Sequence, residues 1–260
     1  FMKIFIIGGA GYIGSHMVKI AHKAGYDVIA LDNLSTGHQD AVLYGKFEFC
    51  DILDSVELNR LFKKYNPDAV MHFSAYSLVG ESMTNPYKYY NNNVSGTLCL
   101  LKAMIDNNCM KFIFSSSAAI FGNPEYIPID ENHPKNPINP YGKSKLMVEE
   151  ILKDFESAYE LKYVSFRYFN AAGHDPEGEL GERHDPETHL LPIIMQAVNG
   201  KRDSVNIFGS DYNTNDGTCV RDYIHVNDLA NAHLKGLEYL NSHESHSAEF
   251  NLGNGNGFSV

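Results

Sequence analysis

The sequence has no excess of positive charge. Acidic residues number 32 against 21 lysines and arginines, for a net charge of −11. Nucleic-acid binding needs clustered Lys and Arg to meet phosphates, so this balance argues against it. The charge reads instead as a solvated surface. No apolar run approaches the roughly 20 residues that a membrane span needs. The start, Phe1-Met2-Lys3, leads straight into a strand-like run with no secretory signal pattern, and the Phe before the Met looks like a cloning remnant. Cysteine is scarce. Cys50, Cys99, Cys109 and Cys219 form no CxxC pair, the twelve histidines are scattered, and no spacing suggests zinc. The cysteines are expected as small buried residues in a reducing compartment. These absences predict a cytoplasmic protein with no nucleic-acid partner, no membrane and no metal. Repeats and low-complexity tracts are missing too. At 260 residues and 43% hydrophobic, the chain can bury one large α/β core and a smaller lobe.

What is present is an alternation of strand and helix patterns. Residues 3–7 (KIFII), 27–31, 47–49, 68–73, 111–115 and 162–167 read as strands. Residues 11–24, 54–65, 87–107 and 141–159 have helical spacing. Gly25 suits a helix stop and Asp54 an N-cap. Strands separated by helices imply an α/β fold with a doubly wound parallel sheet of the Rossmann kind. The rhythm changes after residue 170. A Gly-, Pro- and charge-rich loop leads to a helix over 191–199. Short elements follow at 206–208 and 223–226, then a helix over 227–240 and a strand over 249–252. The pattern predicts a smaller lobe interleaved with the end of the sheet. Residues 258–260 look like the first residues of a helix, so the chain is expected to be truncated there.

Three groups of residues carry chemistry. Gly8, Gly11 and Gly14 follow the first strand and open a helix. Glycines there allow a tight turn and a close backbone approach to a pyrophosphate, which sits on the positive helix end. Asp32 ends the second strand. A carboxylate there can accept both hydroxyls of an adenosine ribose and repels the 2′-phosphate of NADP, so NAD is favoured. Asp51-Ile52, after the third strand, sit where such folds bind the adenine edge. Finally, Tyr141 and Lys145 lie one turn apart on a helix face, and Ser115-Ser116-Ser117 ends the fifth strand. Strand ends and helix starts meet at one rim of a parallel sheet, so Ser117 and Tyr141 can touch one hydroxyl. A Lys145 ammonium favours phenolate, so Tyr141 is expected to titrate well below its usual pKa of about 10. The three form a proton-transfer set suited to a hydride enzyme.

These residues closely resemble the extended short-chain dehydrogenases and, within them, the UDP-glucose 4-epimerases. The resemblance runs through GGAGYIGSH (8–16), LDNLSTG (31–37), NNVSGT (92–97), FIFSSSA (112–118), NPYGKSKLMVE (139–149), RYFNAAG (167–173) and DGTCVRDYIHVNDLA (216–230). It implies reversible 4-epimerisation of a UDP-sugar through a transient 4-keto sugar, with tightly bound NAD. It implies a cofactor domain over 1–170 and mostly a substrate lobe over 171–260. By the resemblance, Tyr12 and Ile13 line the pyrophosphate. Asp32, Asn33, Leu34, Ser35, Thr36 and Gly37 hold the adenosine ribose, and Asp51 and Ile52 the adenine. Phe73, Ser74, Ala75 and Ser77 border the cofactor, Asn93 supports it, and Ser115, Tyr168 and Phe169 lie near the nicotinamide. Ser117, Tyr141 and Lys145 are catalytic. Asn170, His189, Leu190, Asn206, Phe208 and Arg221 contact the nucleotide sugar, with Ser117 and Tyr141 on the hexose. A homodimer through the helices over 87–107 and 141–159 is also implied.

The chain departs from the pattern in places. Some relatives carry Lys at the position of Ser77 and Asn at that of His189. The family usually continues beyond Val260, with another arginine for the diphosphate and a residue that limits the sugar's 2-substituent. Other UDP-sugars (UDP-GlcNAc, UDP-glucuronate, UDP-pentose) therefore stay open as substrates. A 4,6-dehydratase needs an extra acid and base after the strand-end hydroxyl, where this chain has Ala118-Ala119-Ile120. A non-catalytic nucleotide-sugar sensor would not need Ser117, Tyr141 and Lys145 intact.

Overall fold

The structure is a computed structural model and describes residues 2–242 and 246–260, so Phe1 lies outside the described residues. The strands are β1 (Lys3–Ile7), β2 (Asp27–Asp32), β3 (Lys46–Phe49), β4 (Ala69–His72), β5 (Lys111–Ser117), β6 (Lys162–Tyr168), β7 (Asn170–Ala172), β8 (Val220–His225), β9 (Ala248–Leu252) and β10 (Gly257–Ser259). The helices are α1 (Tyr12–Lys23), α2 (Ser55–Tyr65), α3 (Val79–Thr84), α4 (Pro86–Tyr89), α5 (Thr97–Asp106), α6 (Pro140–Tyr159), α7 (Leu190–Val198) and α8 (Val226–Asn241). Seven strands form one sheet in the order β3-β2-β1-β4-β5-β6-β9, and every pairing in it is parallel. The order reverses between β1 and β4, and that crevice is where open α/β sheets bind ligands.

Both sheet faces are covered, which explains why the strands read as continuous apolar runs. Phe5, Ile7, Val70 and Phe112 pack with Leu58 and Phe62 of α2, Leu100 and Met104 of α5, and Val148 and Leu152 of α6. Ile4, Ile6, Met71 and Val164 pack on the other face with Met17 and Val18 of α1 and Leu229 and Leu237 of α8. Local signals set the helix ends. Asp54 accepts the Glu57 amide at 3.0 Å and caps α2. Asn139 accepts the Gly142 amide at 2.8 Å and caps α6, whose first residue is Pro140. Gly25, just past α1, takes φ +89°.

Arg167 of β6 is fully buried, as is its partner Glu149 of α6. Its Nε and Nη2 donate to the two Glu149 oxygens at 2.9 and 2.8 Å, and it also pairs with Glu249 of β9. This fork joins β6, α6 and β9.

Several expectations are revised. The single helix over 87–107 is three segments, because a π-helical stretch (Tyr90–Gly96) separates α4 from α5. Asn93 within it is buried and bonds across to the Tyr76 backbone, while Gly96 lies against Ile52, where a Cβ would come within 2.5 Å of Cδ1. The wide turn accommodates both contacts. Residues 206–208 adopt no regular structure and are exposed. Residues 258–260 do not start a helix. Phe258 pairs with Arg221, so β10 runs antiparallel to β8, and β7 flanks β8 on its other side to complete a three-stranded sheet. β8 offers these residues a strand edge. The chain passes to this small sheet at Asn170, yet α8 and β9 return to the large one.

Candidate active site

The turn after β1 is built without side chains because it has no room for them. Gly8 has φ +79°, and a Cβ there would fall 2.6 Å from the Ser74 amide nitrogen. A Cβ on Gly14 would fall 2.0 Å from the Gly8 carbonyl oxygen. Gly11 is the N-cap of α1 and offers no side-chain cap. The amides of Tyr12, Ile13 and Gly14 are thus left to an outside acceptor, beside the positive end of the helix.

Asp32 is buried, and its carboxylate accepts the Ala10 amide at 3.0 Å and the Leu34 amide at 2.8 Å. Burial raises its pKa, and the two amides pull it back. The carboxylate therefore fastens the glycine turn to the loop after β2. That loop folds over the turn, since a Cβ on Gly37 would meet Ala10 at 2.9 Å. Asn33 donates to Asp51 at 2.8 Å and accepts the Ser35 amide at 3.0 Å. Ile52 is buried. A bare turn, an uncapped helix and a carboxylate at the end of β2 fit the pyrophosphate and ribose of NAD.

Across the crevice, Phe73 follows β4 and donates its amide to Ile7 at 2.8 Å. Ser74 and Ala75 are half-buried and Ser77 is exposed. Asn93 exchanges hydrogen bonds with the Tyr76 backbone, both at 3.0 Å, and donates to Ser144 of α6 at 3.2 Å. It pins the loop after β4 to α6.

Ser117 ends β5, accepts the Ala119 amide at 3.1 Å, and lies near enough to the Tyr141 phenol to draw its pKa down. Lys145, one turn along α6, is buried and donates to the Ser115 carbonyl at 2.7 Å. Its nitrogen lies 5.9 Å from the centre of the Tyr141 ring. Ser115 also bonds the buried Tyr168 hydroxyl. The electrostatics differ from the expected phenolate. Burial raises the Tyr141 pKa, and the nearby Ser117 only partly opposes it. Burial also takes the Lys145 ammonium down to about 7, with Glu149 pulling the other way. A lysine that has itself lost hydration, and that points at a carbonyl, lends the phenol little charge.

The other residues expected to meet substrate sit on β7, β8, the head of α7 and the segment between α7 and β8. Asn170 donates to the Asp222 carbonyl at 2.9 Å. Phe208 is 82% exposed. Arg221 is exposed and donates to the Val220 carbonyl, while the Asp222 carboxylate accepts the Asn254 and Gly255 amides. Asn206 is exposed, and Leu190 opens α7 with His189 as its N-cap.

Some groups escape a reading of motifs. The Tyr12 hydroxyl donates to the Gly173 carbonyl at 2.6 Å, linking α1 to the loop after β7. Lys19 of α1 is buried among Asp175, Glu177 and Glu179 at 2.6 to 2.9 Å. Farther along that loop, Glu182, His184, Glu187 and His189 converge. The hydrogen bond to Glu182, then burial opposing it, leaves the His189 pKa raised to about 9. The spacing E-x-H-x-x-E-x-H is the signal that could have drawn attention to this group.

The NAD dependent epimerase/dehydratase family model matches residues 4–253. The chain is 52% identical over 259 residues to a UDP-glucose 4-epimerase of Halalkalibacterium halodurans, covering 100% of this chain and 77% of that protein. The crystal structure of UDP-glucose 4-epimerase from Brucella ovis in complex with NAD superposes with a TM-score of 0.97 at 50% identity, over 100% of this chain and 79% of that one. The Bifidobacterium longum enzyme in complex with NAD+ and UDP gives 0.94 at 38% identity, over 99% and 80%.

Proposed function

The chain belongs to the NAD dependent epimerase/dehydratase family, and on that footing we propose that it interconverts UDP-glucose and UDP-galactose with NAD as a bound catalyst. The observation that carries this reading is the approach of Ser117 to Tyr141 at the rim of the sheet, with Lys145 one turn away and the crevice between β1 and β4 alongside. The residues 1–170 act as the cofactor domain, and 171–260 mostly as the substrate lobe.

Ser117 and Tyr141 hold the sugar's 4-hydroxyl between them. Tyr141, as the phenolate that the positive charge of bound NAD would favour, takes its proton at the phenolic oxygen and gives it back at the end, with Ser117 sharing it. NAD, when bound, would supply the hydride acceptor and donor for C4 and a positive charge beside the phenol. The 4-keto sugar is flat at C4, so presenting its other face inverts the centre. Lys145 fixes the register of the site through the Ser115 carbonyl. Asp32 sets the preference for NAD, because a 2′-phosphate beside it would meet a buried carboxylate. Leu190, Asn206, Phe208 and Arg221 are assigned to the nucleotide, with Arg221 free of Asp222 and able to meet a diphosphate oxygen. The Ala118–Ile120 turn after Ser117 carries no acid or base, which disfavours water elimination.

A homodimer is proposed through α5 and α6. Val94, Leu146, Met147 and Ile151 line an apolar groove there, and Leu98 and Met147 are exposed. A cytoplasmic setting is proposed from the four unpaired cysteines.

The test is Tyr141→Phe, assayed by conversion of UDP-galactose. NAD should stay bound while turnover falls by ~10² or more, the order expected on losing a general base. Substrate deuterated at C4 should keep its label in the product. Near-normal turnover in the variant, or label lost to water, would overturn the scheme.

A further inference from the structure

The scattered histidines lead to no expectation of a metal, yet two of them converge on two glutamates between β7 and α7. One donor atom from each of Glu182, His184, Glu187 and His189 lies within 4.8 Å of the other three. Glu182 Oε1 is 2.9 Å from His189 Nδ1 and 3.3 Å from His184 Nδ1. Glu187 offers its two oxygens to the same nitrogens, at 2.8 Å from His189 and 3.8 Å from His184. Four donors at zinc–ligand distances of about 2.0 Å around a tetrahedral ion stand about 3.3 Å apart, and these separations scatter about that value.

We propose that Glu182, His184, Glu187 and His189 form a binding site for a divalent transition-metal ion of the zinc class. Charge is the first reason. The carboxylates of Glu182 and Glu187 are 8% and 6% exposed, and buried carboxylates need a cation. Among the described residues their ion pairs are all with histidine. The neighbouring acidic group of Asp175, Glu177 and Glu179 differs, because the Lys19 ammonium already fills its centre. The second reason is His184. Its Nδ1 is buried and makes no hydrogen bond. The third is that the two imidazole rings sit 4.6 Å apart, centre to centre. That spacing lets two imidazoles share one ion with the two carboxylates. Imidazole nitrogen with carboxylate oxygen, and no thiolate, is a donor set suited to Zn²⁺ and its first-row neighbours.

The position gives the ion a structural task. His184 meets the Tyr12 ring edge-on at 6.2 Å, and Tyr12 begins α1. His189 is the N-cap of α7. An ion here fastens the head of α7 to the glycine-turn helix, so that the substrate lobe and the cofactor crevice keep one spacing. It also commits His189 Nδ1 to the ion instead of the substrate.

The test uses the NAD-loaded protein, cleared of metal with a chelator, dialysed against Zn²⁺ and gel-filtered before metal analysis. One zinc per chain is expected. H184Q and E187Q should each bring the zinc content close to zero while keeping the circular-dichroism spectrum and the bound NAD. E177Q, in the Lys19 group, should keep its zinc. Cobalt loaded in place of zinc should give the strong visible absorption of a four-coordinate ion, a readout on the unmutated protein if a variant does not fold. Wild-type zinc well below one per chain, or zinc retained by both H184Q and E187Q, would overturn the proposal. So would a weak, six-coordinate cobalt spectrum.

Discussion

Replacing Lys145 by methionine should stabilise the cofactor-free protein while abolishing useful turnover. Lys145 is 3% exposed, and burial lowers its ammonium from 10.5 to about 7. The sign follows from the two states. Below pH 7 both are protonated, and the folded state bears the full cost of a buried charge. Between about pH 7 and 10.5 the folded state releases its proton first, so that cost fades as pH rises. Above that range nothing remains of it. At about 1.4 kcal/mol per pH unit the cost comes to at most ~5 kcal/mol. Methionine also gives up the 2.7 Å hydrogen bond to Ser115, worth ~1.5–3 kcal/mol for a charged donor. The variant should therefore gain ~2–3 kcal/mol at pH 6 and little or nothing at pH 10. Urea unfolding of NAD-free protein at both pH values measures this directly. A Lys145→Met protein less stable than wild type at pH 6, or one with the same gain at both pH values, refutes the reasoning.

Asp32→Ser should narrow the preference for NAD over NADP by ~10-fold or more, since each 1.4 kcal/mol of relieved repulsion is a factor of ten. Fluorescence titration with both cofactors checks this, and an unchanged ratio would place discrimination elsewhere. Arg167→Met leaves Glu149 buried without its fork and should cost ~3–5 kcal/mol in urea unfolding. Adding Glu149→Leu should recover much of that loss, whereas a double variant no better than the single one would show that the pair is not an energetic unit.

The parts of the molecule that were legible in the sequence are those fixed by neighbours along the chain. The apolar run before Gly8, the cap at Asp54, and the Tyr141–Lys145 turn all declare themselves within a few residues. The rim position of Ser117 follows from strand polarity alone. What was hidden depends on partners far away. Phe258 becomes a strand residue because β8 offers it an edge, a contact with no local signature. The π-helical turn exists because Asn93 must reach Tyr76 and Ser144 together. The Tyr141 pKa is raised because the phenol itself is buried, and burial cannot be read from the spacing of two residues. Glu182 and His189 look like loop polarity until the loop folds back on Tyr12.

The late return of β9 to the large sheet has a consequence for biosynthesis. A chain emerging from the ribosome completes β6 long before β9 exists, so β6 spends that interval as an open edge, able to pair with another nascent chain. Arg167 stands near the C-terminal end of that edge. Until Glu249 arrives, the Glu149–Arg167 pair lies beside a strand with solvent on one side, and a guanidinium there discourages a foreign strand from docking. Once β9 closes the sheet, the same arginine becomes the latch that holds it. The buried ion pair, a modest contributor to net stability, thus acts in time as well as in space: gatekeeper of an unfinished sheet first, fastener of the finished one afterwards.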